Sequence, residues 1–245
     1  MYFILRRSAV SSSYRKTTLF KHAIGGLVLS ASTVIQAQSF DSCPTEAFLV
    51  QDNTARLYSV NLATGFYEEV ASDMGTTGKI NAIGFNIHDN YLYAFGYQSK
   101  TVVKIGSDYQ AVPLSVSNLP DVSFYVGDVS LAENSYYAYR SGGSYGLYKI
   151  DLSEDSENYL NAQRVIDGSS LNLKIFDIAF HPDTNALYSV NSGGDLIQVD
   201  ASDGSAVTLF TGHDQGHEHL GGTGRAVFRR GKHAGQAVAV IGMNA

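Results

Sequence analysis

One stretch of the chain, from Phe176 to Leu209, reads FDIAFHPDTNALYSVNSGGDLIQVDASDGSAVTL, and its order of apolar and turn residues recurs upstream. Ile178, Phe180, Leu187, Tyr188, Leu196, Val199 and Leu209 are the apolar anchors. Pro182 to Asn185, Ser192 to Gly194 and Ser202 to Gly204 are the turns between them. Short apolar runs punctuated by Gly, Asn, Asp and Ser predict four strands joined by three hairpin turns.

The copy at Ile80 to Leu114 superposes without a gap in its first half. Ile83 falls on Ile178, Phe85 on Phe180 and Leu92-Tyr93 on Leu187-Tyr188. A third copy puts Val129, Leu131 and Tyr136-Tyr137 in those places, with a turn that reads as two residues shorter. The third strands are Leu57 to Asn61, Val102 to Gly106, Leu147 to Asp151 and Leu196 to Asp200, and their starts step by 45, 45 and 49 residues. A period of about 40–50 residues with four strands per unit is that of a propeller blade. Helical repeats of this length would show a 3.6-residue apolar rhythm, and none is present. The 16 Tyr and 12 Phe suit strands, and 4 Pro in 245 residues leave strands uninterrupted. One four-stranded sheet cannot bury both its faces alone, so blades stack around an axis. The expectation is an all-β chain, a β-propeller of about four four-stranded blades, with closure of the ring left open. The competing reading is a β-sandwich built from similar hairpins.

Residues 1–37 read as a signal peptide. Arg6, Arg7, Arg15, Lys16 and Lys21 precede a short apolar run from Ala23 to Ile35, and Ile35 and Ala37 form an imperfect cleavage site. The apolar run is shorter than the ~20 residues of a spanning helix, so no membrane insertion is expected once it is removed. Beyond it the chain carries 12 Lys and Arg against 23 Asp and Glu, a net charge of −11. That balance argues against nucleic acid or an anionic membrane as a partner, both of which need basic clusters. It fits cations or neutral glycans better.

From Glu46 the chain starts in mid-blade, with strands two to four and no first, an arrangement in which a final segment supplies the missing strand; Gly224 to Phe228 reads either as that strand or as the start of another blade. Residues 38–228 are thus the repeat domain. After Phe228 the pattern stops, and residues 229–245 read as a basic, poorly ordered tail, as in a shortened version of a longer propeller. Cys43, the one cysteine, reads either as a thiol awaiting a partner outside this chain or as a buried small apolar group.

Three constellations are candidates for chemistry. Asn81, Asp128 and Asp177 sit at or beside the start of successive first strands, where polar groups from several blades would meet a ligand near the central channel. The same residues could instead satisfy backbone amides. His213, His217 and His219, within His213-Asp214-Gln215-Gly216-His217-Glu218-His219, have i, i+2 spacing that puts two imidazoles on one face of a strand. They are the candidate ligands for a divalent cation such as Zn²⁺, on a loop that otherwise reads as solvated. Tyr136, Tyr137, Tyr139 and Tyr145 could make an aromatic sugar-binding face or plain strand packing. The Asp-rich turns lack the pattern of a calcium loop, and no G-x-S-x-G, GK[ST] or HExxH motif occurs, so no catalytic residue is assigned and no cofactor other than that cation.

AIGFN at Ala82 to Asn86, YLYAF at Tyr91 to Phe95, DIAFHP at Asp177 to Pro182 and LYKID at Leu147 to Asp151 give the chain a resemblance. It resembles an uncharacterised family of secreted bacterial β-propeller-like domains, with looser similarity to WD40-like and YVTN-type surface proteins. The resemblance covers about Pro44 to Phe228. It implies a secreted, periplasmic or surface-associated non-catalytic module, adhesion-related, that binds a glycan or an extracellular protein. Similar domains continue through further blades, so C-terminal blades or domains are expected beyond this chain. The alternatives are an extracellular metal-dependent hydrolase or lyase on a propeller scaffold, and a fragment without a function of its own.

Overall fold

The computed structural model describes residues 37–76, 78–169 and 175–211. The chain divides into two units, residues 1–34 and 35–245, and every described residue belongs to the second. The expected signal peptide, the histidine-rich loop, the closing strand at Gly224 to Phe228 and the basic tail lie outside the described residues, apart from Ala37 at the leader's end.

The described residues form a β-propeller of four antiparallel sheets, without helices. Blade 1 is β1 (Ala47–Gln51), β2 (Arg56–Val60) and β3 (Tyr67–Ala71). Blade 2 is β4 (Ile80–Asn86), β5 (Tyr91–Gly96), β6 (Thr101–Ile105) and β7 (Ala111–Pro113). Blade 3 is β8 (Val126–Ser130), β9 (Ser135–Arg140), β10 (Gly146–Asp151) and β11 (Ala162–Asp167). Blade 4 is β12 (Ile175–Phe180), β13 (Leu187–Asn191), β14 (Leu196–Val199) and β15 (Ala206–Phe210). Among the described residues blade 1 has three strands, the expected second to fourth. No helix among them is long and apolar enough to cross a membrane.

The strands are apolar on both faces because each sheet is covered on both sides. In β5, Leu92 and Ala94 enter the core shared with blade 1, while Tyr93 and Phe95 enter the one shared with blade 3. In β9, Tyr136 and Ala138 face blade 2, and Tyr137 and Tyr139 face blade 4. A side-chain period of two thus feeds two cores from one strand. Three such cores join blades 1–2, 2–3 and 3–4. The tyrosines read as a sugar face are therefore core residues at Tyr136, Tyr137 and Tyr139, each at most 3% exposed. Only Tyr145 stays near the surface.

The first strands β4, β8 and β12 lie side by side across blades, nearest the axis. Their registers correct the reading of the third copy. Phe85 pairs with Leu92, Val129 with Tyr136 and Phe180 with Leu187, so Val129, not Leu131, is the equivalent of Phe85, and the turn is not shortened. Leu131 lies inside the turn, half-buried against the blade 2–3 core. What sets the turn length is an asparagine two residues before the second-strand anchor. Asn90, Asn134 and Asn185 have φ of 57°, 44° and 55°, a left-handed conformation that asparagine tolerates better than most residues. Two of them also stitch blades together. Asn86 Nδ2 donates to Asn134 Oδ1 at 2.8 Å, and Ser130 Oγ donates to Asn185 Oδ1 at 2.8 Å.

Ahead of the first blade, Phe40 packs with Phe48, Phe85 and Tyr109 in the blade 1–2 core. Cys43 packs half-buried against the same core, and burial raises its thiol pKa.

Candidate functional site

Asp128 and Asp177 are brought together near the axis, and Asn81 is placed elsewhere. Asp128 Oδ2 accepts the backbone N–H of Phe180 at 2.8 Å, across from blade 3 to blade 4. The same carboxyl accepts the N–H of Val129. Val129 and Phe180 occupy the same register position in their blades, so one carboxylate caps two equivalent amides on strands that have no sheet partner on their inner edge. Asp177 Oδ1 accepts the N–H of Ile178 at 2.9 Å. Burial raises the Asp128 carboxyl to about 7. Burial, and then the neighbouring Asp128, raises that of Asp177 well above its usual range. Both residues keep a fraction of their surface accessible although protein encloses their carboxyls, as happens for groups beside a narrow axial space. Tyr136, wholly buried, donates to the Ala82 carbonyl at 2.6 Å. A bulge in β4 between Asn81 and Gly84, where Ala82 has φ 57°, turns that carbonyl to it. The amide-capping role is thus filled by the two aspartates.

Asn81 belongs to a second cluster, where β4 and β8 begin and β5 and β9 end. Its Nδ2 donates to Tyr97 Oη at 3.4 Å. The Tyr97 ring meets Tyr125 edge-on, with centroids 5.7 Å apart. The Arg140 guanidinium lies 5.0 Å from the Tyr125 centroid and 4.9 Å from that of Tyr145, each within cation–π range. Arg140 Nη1 donates to the Ser123 carbonyl, and Lys100 Nζ donates to Ser123 Oγ at 2.7 Å. Arg140 Nε is shielded from water and has no hydrogen-bond partner among the described residues. A buried donor left unpaired costs about 1–3 kcal/mol, so the exception calls for a reason. Tyr125 remains 46% exposed. The cluster presents an aromatic surface backed by two cations at the seam of blades 2 and 3.

Of the residues in this cluster, the sequence pattern marked Asn81 and Tyr145 but not Tyr97, Lys100, Tyr125 or Arg140. A signal was available in the second strands. Counted from Leu92, Tyr136 and Leu187, the fifth residue is Gly96, Arg140 and Asn191, and only blade 3 puts a cation there.

Among the described residues no group of three or more His, Cys, Asp and Glu could hold a metal ion, and His213, His217 and His219 lie outside them. A cleft of about 480 Å³ on blade 1 is lined by Asp52, Asn53, Thr54, Arg56, Ser72 and Asp73. Its one cation, Arg56, is already paired with Asp52 at 3.7 Å and Glu69 at 3.0 Å, and we assign it no role.

Residues 45–228 match a family described as a repeat of unknown function, DUF6923. The chain belongs to this family. No match was found among curated proteins. Several solved structures are similar to this DUF6923 chain. The hydrazine synthase of Kuenenia stuttgartiensis is 15% identical at a TM-score of 0.41, covering 74% of this chain and 53% of that one. A chain of the nidogen/laminin complex is 13% identical at a TM-score of 0.50, covering 71% and 64%. A protein of unknown function from Bacteroides thetaiotaomicron is 15% identical at a TM-score of 0.45, covering 66% and 46%. The chain thus spans about half to two thirds of the length of these structures, and at such identities the likeness concerns the fold alone.

Proposed function

We propose that this chain is a secreted or surface-associated, non-catalytic propeller module that binds a glycan or an extracellular protein at the seam of blades 2 and 3. The carrying observation is the exposed Tyr125 ring with the Arg140 guanidinium packed against it. A large aromatic held in place by a cation, at the blade ends, offers a rigid apolar surface at little conformational cost on binding. The acidic balance beyond residue 37 fits a ligand found outside the cell better than nucleic acid. The basic start and the short apolar run support export with removal of residues 1–37, and the mass of the protein recovered from the culture medium tests that part. An array of immobilised glycans and matrix proteins, probed with the labelled chain, tests the binding. Retention that falls at least tenfold in Tyr125→Ala, with an unchanged melting temperature, is the expected result. Retention on nothing, or retention that Tyr125→Ala leaves intact, contradicts the proposal.

A further inference from the structure

The seam also carries information about the charge of what it binds, and the inference here rests on the reading of that seam as a ligand site. Four of the described cations, Arg56, Lys104, Lys149 and Arg164, sit in ion pairs with carboxylates. Among the described residues Lys79, Lys100 and Arg140 form none, although acids outnumber bases in this chain, and of these it is Lys100 and Arg140 that lie together. Both converge on Ser123 instead, one on its hydroxyl and one on its carbonyl. In an acidic protein, two neighbouring cations that pair with no acid among the described residues form a local positive site.

Arg140 has a further property. Its Nη1 donates to the Ser123 carbonyl, and its Nε is shielded from water and donates to no described residue, so a ligand can meet the guanidinium only at its Nη end. A carboxylate at that end gains a charge-assisted hydrogen bond. The rings of Tyr125 and Tyr145 lie against the guanidinium and limit its rotation, so its charge is held in place before a ligand arrives. Tyr125 adds an exposed ring beside it, a surface on which the C–H face of a sugar can lie.

We infer that the seam of blades 2 and 3 is a site for an acidic saccharide, whose carboxylate is taken by Arg140 with Lys100 alongside and whose ring stacks on Tyr125. A saccharide fits better than an acidic peptide because the cluster is compact. It sits at strand ends and not along an unpaired strand edge, where an extended peptide would add.

The experiment is calorimetric titration of the full chain, at low and at physiological salt. The probes are oligosaccharides bearing glucuronate, galacturonate, mannuronate or sialate, each beside its carboxyl-reduced counterpart. Binding of at least one acidic probe is expected, weakened tenfold or more by carboxyl reduction and weakened again by added salt. Arg140→Lys, which keeps the charge but loses the flat guanidinium packed between Tyr125 and Tyr145, should bind at least tenfold more weakly. Should Arg140 variants fail to fold, Lys100→Gln, at an exposed position, and Tyr125→Ala supply the same test. Equal binding of the reduced counterparts overturns the inference and leaves the glycan-binding reading standing. Binding of oligoglutamate in place of every saccharide overturns it in favour of an acidic protein partner. A folded chain that binds none of these probes overturns it as well, and the array then decides the broader reading separately.

Discussion

Asp128 shows how much a single side chain does in this fold. Its carboxyl accepts two backbone amides, from Val129 and Phe180, on strands of adjacent blades, and yet burial raises its pKa to about 7. The desolvation outweighs the two hydrogen bonds, so the native protein holds a proton there that the unfolded chain has released. Between the ordinary aspartate value near 3.8 and about 7 the folded state therefore binds more protons, and stability falls as pH rises. Asp177, raised in the same direction and coupled to Asp128, adds to that slope, and the two titrate as a pair. Tyr136, the other titratable group near both, has its pKa pushed up by burial and by the two carboxyls, and it stays protonated. Glu133, Asp151, Asp167 and Asp200 are lowered. Their contribution is present above the usual carboxylate range and lost only as pH falls below it. Between pH 5 and 7.5 the melting temperature of the protein should therefore decline, and that of Asp128→Asn should decline less. Parallel slopes for the two proteins would remove Asp128 from the account.

At the level of elements, the approach of one blade to the next depends on places where no side chain is tolerated. A Cβ on Gly84 in β4 would lie 2.5 Å from both Val129 N and Asp128 Oδ1 in β8, and the first of these is backbone that cannot swing away. Gly84→Ala is expected to lower stability by about 1–3 kcal/mol or more through overpacking. Gly143, in the turn before β10, has nothing near its would-be Cβ, so Gly143→Ala should leave the melting temperature within a degree or two. Equal effects at the two positions would contradict the packing described for β4 and β8. This is also the level at which the sequence was partly misleading. The third strands lie close to where the Leu-Tyr-x-Ile pattern put them, because alternation in a doubly covered strand is regular. The turn of blade 3 was misjudged because Leu131 looks like a strand anchor, whereas the landmark that fixes the turn is Asn134, whose conformation no hydropathy pattern reveals.

For the molecule as a whole, the repeat alone was enough to give a propeller of about four blades, since a period near 45 residues with four strands leaves few other ways to bury the sheets. The proposed binding surface was far less legible. It is assembled from Asn81, Tyr97, Lys100, Tyr125, Arg140 and Tyr145, from the ends of separate strands in two blades, and no motif spacing joins them. Asp128 and Asp177, which the sequence did mark, hydrogen-bond the backbone of the inner strands. The central claim is that ligand is taken at the seam of blades 2 and 3. Hydrogen exchange of the full chain, read by mass spectrometry with and without the saccharide that binds best, tests it most directly. The account predicts that slowed exchange on binding is confined to segments containing residues 97–100, 123–126 and 140–146. Protection appearing instead at the opposite blade ends, around the turns holding Asn90, Asn134 and Asn185, would place the site elsewhere and contradict it.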